Sequence, residues 1–216
     1  DVYKRQILTR LIPVCYLDYS SEQKPFRAKQ LTEPTSDMTE TVSKEVQPTL
    51  RFKELKLEPT LQQGIDDLGF EFATPIQALS LPHSLQGKDV IGKAQTGTGK
   101  TAAFLITVIN RLKEPEQEER YNGEPRALIL APTRELAMQI ENDAQTLVKH
   151  TPLSLLSIVG GMDYQKQQKR LHNEIIDIVV GTPGRLIDFV RKKDLFLSET
   201  EILVIDEADR MLDMGL

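Results

Sequence analysis

The sequence predicts an α/β fold, a parallel β-sheet with helices on both faces. Three observations predict it. From Arg51 onward, short apolar runs alternate with stretches whose apolar residues recur at helical spacing. One of those runs passes directly into a glycine-rich loop and then into a helical stretch. The final run stops in three acids packed into four residues, Asp206, Glu207 and Asp209.

The chain as a whole sets bounds on this reading. At 216 residues it is expected to hold one domain, or one domain and a tail, and its 39% apolar content suffices for one sizeable core. It contains no apolar run of about 18 residues, so no membrane span is expected. Cys15 is the single cysteine, which excludes an intrachain disulfide and fits a reducing, cytoplasmic setting. The net charge of −5 means that any nucleic-acid binding must use a local surface and oriented backbone dipoles.

Residues 1–50 read differently from the rest. They carry 7 Lys/Arg against 7 Asp/Glu and show no sustained period. Glu33–Thr49, EPTSDMTETVSKEVQPT, is polar and linker-like. ILTRLIPVCYL (Ile7–Leu17) is apolar but interrupted by Arg10 and Pro13, which argues against a signal-peptide core. The first methionine is Met38. Residues 1–50 are therefore expected to be an extension, either disordered or, for residues 1–37, not native to the product. The domain is expected to span 51–216.

Within that span, DVIGKA (Asp89–Ala94), ALILAP (Ala127–Pro132), LSLLSIVG (Leu153–Gly160), IIDIVVGT (Ile175–Thr182) and EILVID (Glu201–Asp206) read as buried strands. Stretches such as TRELAMQIENDAQTLVKH lie between them with apolar residues at helical spacing. That rhythm implies right-handed crossovers in a parallel sheet. Lys113–Pro125, KEPEQEERYNGEP, reads as an acidic surface connection.

Ligands of such sheets sit outside the carboxyl ends of the strands. There DVIG leads into AQTGTGKT (Ala94–Thr101) and the helical AAFLITVINRL. Gly97 and Gly99 let the chain curl so that successive N–H groups, those of Thr96 and Thr98 among them, point inward. Together with a helix N-terminus these donors suit a polyphosphate. Lys100 is placed for the β/γ-phosphates and the Thr101 hydroxyl for Mg²⁺. Ala94 stands where the general pattern G-x-x-x-x-G-K-[ST] has its first glycine, which is tolerable at negative φ. The acids emerge at the same sheet edge. Asp206 is placed to hold Mg²⁺, directly or through water, and Glu207 to orient and deprotonate an attacking water.

Five segments, AQTGTGKT, APTRELA (Ala131–Ala137), GG (Gly160–Gly161), TPGR (Thr182–Arg185) and DEAD (Asp206–Asp209), stand in the order and approximate spacing of one family. GFEFATPIQ (Gly69–Gln77) looks like that family's Q motif, with Ala73 where many members have proline, and Phe52 stands where it carries an isolated aromatic. Over Arg51–Leu216 the chain resembles the DEAD-box ATP-dependent RNA helicases, and its wording is similar to the bacterial RhlB-like branch.

The resemblance implies a RecA-like P-loop domain with ATP and Mg²⁺ as ligands and RNA as partner. Gln77 would read the adenine edge, Phe70 would stack on the base and Phe52 would buttress it or simply pack in the core. Pro132, Thr133, Arg134, Gly160, Gly161, Thr182, Pro183, Gly184 and Arg185 would meet the RNA backbone without reading sequence. Arg134 and Arg185 could instead pair with carboxylates inside the domain. The resemblance also implies a second RecA-like domain, and RNA-degradation machinery as a partner. On this reading the chain is the first half of a helicase, truncated before its last strand, so that a sheet edge would be left raw. An arginine finger adds roughly 10³–10⁵ to phosphoryl transfer in related systems, so this half alone is expected to be near inactive.

Overall fold

The computed structural model describes residues 12–18, 50–112 and 120–215. The strands are β1 (Ile12–Asp18), β2 (Val90–Ala94), β3 (Ala127–Leu130), β4 (Leu155–Ile158), β5 (Ile178–Gly181) and β6 (Ile202–Asp206). The helices are α1 (Pro59–Asp67), α2 (Pro75–Ser84), α3 (Lys100–Arg111), α4 (Arg134–Val148), α5 (Tyr164–Asn173), α6 (Pro183–Arg191) and α7 (Ala208–Asp213), with a 3₁₀ turn at Phe52–Leu55. The strands form one sheet in the order β2-β1-β6-β3-β5-β4, and every pairing is parallel.

Strands β2 to β6 fall inside the five apolar runs and are shorter by a few residues. The flanks leave the ladder to begin loops and helix caps, as at Pro132, which has no N–H to donate. Alternate strand residues divide between the two faces, as a period of two requires. Ala127, Ile129, Ile178, Val180, Ile202 and Val204 pack with Leu61, Leu81, Phe104, Ile106 and Ile140 of α1 to α4. Leu128, Leu156, Ile158 and Val179 pack on the opposite face with Leu171 of α5 and with Leu186 and Phe189 of α6. Strands buried on both faces are what a parallel sheet between two helical layers demands.

β1 departs from expectation. Ile12–Asp18 belongs to the stretch read as an extension, yet it forms a strand between β2 and β6. Val14 is level with Val90 on one side and Val204 on the other. Pro13 is level with Leu203, and the β2 pairing starts only at Val14, so its missing N–H falls where the strand has one neighbour. The gap between β2 and β6 is thus paired rather than raw, and among the described residues β2 and β4 are the outer strands. Of the remainder of 1–50, all but Leu50 lies outside the described residues, as do residues 113–119 of the acidic connection.

Parallel order brings the carboxyl ends of all these strands to one edge. The loop after β2, the acids after β6 and the starts of α4 and α6 therefore share that edge.

Candidate functional site

The loop between β2 and α3 turns on two glycines with left-handed backbone, Gly97 (φ 79°) and Gly99 (φ 92°). Gly99 also has no room for a side chain, because a Cβ there would stand 2.5 Å from Gln77 Nε2. Ala94 ends β2 in extended conformation, so its Cβ is accommodated. The Lys100 ammonium is buried beneath the loop and donates to the Ala94 carbonyl at 2.6 Å. Thr98 Oγ1 closes the turn by donating to Gln95 O at 2.7 Å.

Asp206, the last residue of β6, is buried, and its Oδ1 accepts from Glu207 N at 3.0 Å. Glu207 adopts a left-handed conformation (φ 49°, ψ 48°), which a non-glycine residue holds only at a cost. That turn carries the chain from β6 into α7, and Arg210 holds the Glu207 carboxylate at 3.1 Å.

Gln77 is buried and joins two segments. Its Oε1 accepts from Thr74 N at 2.9 Å and its Nε2 donates to Gly99 O at 3.0 Å. The amide thus ties the start of α2 to the phosphate loop, and each atom retains one further hydrogen-bonding position. Phe70 is half exposed, and Phe52 is buried behind it, with ring centroids 6.1 Å apart and planes 25° apart. Ala73, at the departure from the family wording, is fully buried.

Thr96, Gly97, Gly99, Lys100, Thr101, Asp206, Glu207 and Phe70 line one cleft of about 400 Å³, whose far wall is formed by α4. Among the described residues no group of three or more His, Cys, Asp or Glu gathers as a metal cage. The oxygens of Thr101 and Asp206 on this cleft fit a hard cation that takes most of its ligands from phosphate and water, as Mg²⁺ does.

A second group of expected residues meets along the same edge. Thr133 caps α4, its hydroxyl accepting from Leu136 N at 3.2 Å. Arg134 reaches from α4 to Gly161 O at 3.3 Å, and Arg185 from α6 to Met162 O at 3.3 Å. Both guanidinium groups therefore converge on the turn after β4. Neither pairs with a carboxylate among the described residues, unlike the alternative considered from sequence. Gly161 holds a left-handed backbone (φ 72°), and a Cβ there would meet the end of the Arg134 side chain at 2.8 Å. Thr182, Pro183 and Gly184 form the start of α6 beside them, and around Gly160 and Gly184 the space is open.

The family model for the DEAD/DEAH box helicases matches residues 74–216. The chain belongs to this family. It is 56% identical over 166 residues to the ATP-dependent RNA helicase RhlB of Pseudomonas aeruginosa, 57% to that of Pseudomonas putida and 55% to that of Idiomarina loihiensis. These matches cover 76% of this chain and 42%, 42% and 39% of those proteins, so the chain spans about two fifths of their length.

Beside the DEAD/DEAH box motifs stands a cluster that motif reading missed. Tyr164 begins α5, rests on Phe189 with centroids 4.3 Å apart and lies beneath Arg185 (5.6 Å) and Lys192 (4.0 Å). Its hydroxyl donates to Asp194, which also accepts from Gln168 (2.9 Å) and lies 3.0 Å from His172 Nε2. Burial pushes the Tyr164 phenol up to about 12, aided by the Asp194 carboxylate. Burial also pushes Asp194 up, but the bonds from Gln168, Tyr164 and His172 outweigh it and hold the carboxyl below its usual value. Tyr164, Gln168 and His172 stand at i, i+4 and i+8 on α5, but Phe189 lies on α6 and Asp194 beyond it, so the cluster forms only when the two helices pack together.

A carboxyl whose pKa is depressed by folding stabilises the fold above the unfolded value. That stabilisation fades as pH falls through the folded value. Asp194→Asn is expected to lower stability at neutral pH by about 1–3 kcal/mol and to reduce its loss on acidification. Urea unfolding between pH 3 and 7 checks this, and parallel pH curves for both proteins would remove Asp194 from the account.

Proposed function

We propose that this chain is the ATP-binding half of an ATP-dependent RNA helicase of the cytoplasm, which hydrolyses ATP and separates short RNA duplexes when joined to a second RecA-like domain. One observation carries the reading: the phosphate loop, the Asp206–Glu207 pair and the exposed face of Phe70 line one cleft. The loop N–H groups and Lys100 would hold the triphosphate, and Phe70, backed by Phe52, would cover the base. Mg²⁺, held by Asp206 and Thr101, would neutralise phosphate charge. Glu207 would take the proton of the attacking water.

RNA would lie along Pro132–Arg134, Gly160–Gly161 and Thr182–Arg185. Open space at Gly160 and Gly184 admits a backbone, and Arg134 and Arg185 would offer guanidinium N–H groups to phosphates. Contacts of this kind carry no base identity. RNA-degradation machinery is the protein partner we propose, on the resemblance of the sequence motifs alone.

The test is ATP turnover by a protein carrying both domains, with RNA and DNA compared. Stimulation by RNA and not by DNA is expected. Equal stimulation by DNA would replace the reading with that of a DNA translocase. A single turnover without repetition would replace it with a nucleotide-switched RNA clamp.

Gln77 supplies a finer prediction. Gln77→Ala should weaken ATP and reduce the preference for ATP over GTP, because an oriented amide distinguishes the amine edge of adenine from the carbonyl of guanine. Competition binding with the two nucleotides checks it. A uniform loss with the preference intact would leave Gln77 as a tie between α2 and Gly99 alone.

A further inference from the structure

The Tyr164 cluster includes Arg185, yet the function proposed above leaves the rest of it without a task. The Tyr164 ring carries two cations. The Arg185 guanidinium carbon stands 5.6 Å and Lys192 Nζ 4.0 Å from its centroid. Arg185 lies in the first turn of α6, and Lys192 follows the last residue of that helix. Side chains of a helix tilt toward its N-terminus, so Lys192 leans back along α6 toward Arg185. The ring between them is fixed. It rests on Phe189, and its hydroxyl donates to Asp194, which Gln168 and His172 also hold.

Two cations on one ring stand about 10 Å apart or closer, within roughly one Debye length at 0.1 M salt, and they repel each other. Among the described residues neither forms an ion pair with a carboxylate. From Asp163 to Asp194 seven Lys/Arg stand against five Asp/Glu, in a chain whose net charge is −5. Four of those acids are engaged: Asp163 caps α5, Glu174 pairs with Arg170, Asp177 with Arg120, and Asp194 holds Tyr164. The fifth, Asp188, is exposed and forms no ion pair with either cation. The surface is therefore locally basic, and its two closest cations are held by an uncharged platform.

We infer that Arg185 and Lys192, held on Tyr164, grip two phosphates of one RNA strand, so that Lys192 extends the RNA path beyond Thr182–Arg185 and Tyr164 is the positioning residue for both cations. This rests on the RNA reading of that edge. A carboxylate partner would neutralise each cation and occupy its donors. An aromatic face attracts a cation without taking any of them. Lys192 therefore keeps all three ammonium donors, and Arg185 spends one N–H on Met162 O and keeps the rest. A strand with one negative charge per nucleotide relieves the repulsion between the cations and meets both at once. Continuity favours RNA over an acidic protein, because Arg185 adjoins Gly184, where the space is open to a backbone.

The experiment titrates a protein carrying both domains with a fluorescent single-stranded oligouridylate, from about 50 to 200 mM salt. On a single strand each phosphate contact adds about 0.7 to the slope of log affinity against log salt. Lys192→Ala is expected to reduce that slope by about 0.7 and to weaken binding about three- to tenfold at the low-salt end. Lys192 is exposed, so the variant empties no core. Lys192→Arg keeps the charge and should keep the parent's slope. Tyr164→Leu removes no charge, yet it should weaken binding and flatten the slope, because both cations lose their platform. An affinity and slope in Lys192→Ala equal to the parent's would overturn the inference while the RNA reading stands. So would a loss that Lys192→Arg does not restore, which a merely structural role would give. The parent's slope in Tyr164→Leu would overturn the positioning role. Failure of the parent itself to bind the oligonucleotide would overturn the RNA reading, and this inference with it.

Discussion

Glu207→Gln, in a protein carrying both domains, is expected to lower ATP turnover by about 10²–10⁴-fold while ATP and RNA still bind. Gln is nearly isosteric with Glu, so the left-handed turn at φ 49° and the start of α7 should persist. The amide oxygen can still accept from Arg210, which holds the carboxylate at 3.1 Å. The Asp206 carboxylate, buried at the end of β6 and bonded to the Glu207 backbone N–H, is untouched by the change. What disappears is the group able to take a proton from water. Affinity and chemistry should therefore separate, and the complex closed on ATP and RNA should outlive that of the parent. Steady-state hydrolysis measured beside nucleotide affinity checks this. Turnover within a factor of about two of the parent, far below the general-base range, would leave the acids as a metal site or a helix start.

Lys100→Ala is expected to weaken ATP binding by about 10–100-fold, the range of a hydrogen bond to a charged group. The ammonium is buried and held at Ala94 O, 2.6 Å away, at the mouth of the loop. It carries three donors, so phosphate oxygens can share or take over this contact. The backbone cradle formed by Gly97 and Gly99 survives the substitution, since both glycines precede the changed side chain. Residual affinity should therefore come from the loop N–H groups and from Phe70. Titration of this chain with ATP and with tripolyphosphate checks it, and both should fall together. Unchanged affinity for either would remove Lys100 from the phosphate site.

The sequence by itself determined the elements and the edge on which chemistry gathers. Runs such as ALIL and IVVG are apolar at every position, so they had to be strands covered on both faces, and a parallel sheet follows from the helical stretches between them. The glycine loop and the DEAD acids were legible because each occupies consecutive positions whose chemistry is local. Tertiary structure decided what depends on residues far apart in the chain. Gln77 and Gly99 meet because α2 packs beside α3, Phe52 and Phe70 because the 3₁₀ turn folds back against the segment after α1. The Tyr164–Asp194 cluster likewise exists only once helices are placed. Ile12–Asp18 shows the same limit. Its composition is as compatible with a tail as with a strand, and only the pair of neighbours, β2 and β6, supplies the backbone partners that make it one. Local pattern specifies which segments can pair, whereas the partners themselves are chosen by packing that no single stretch contains.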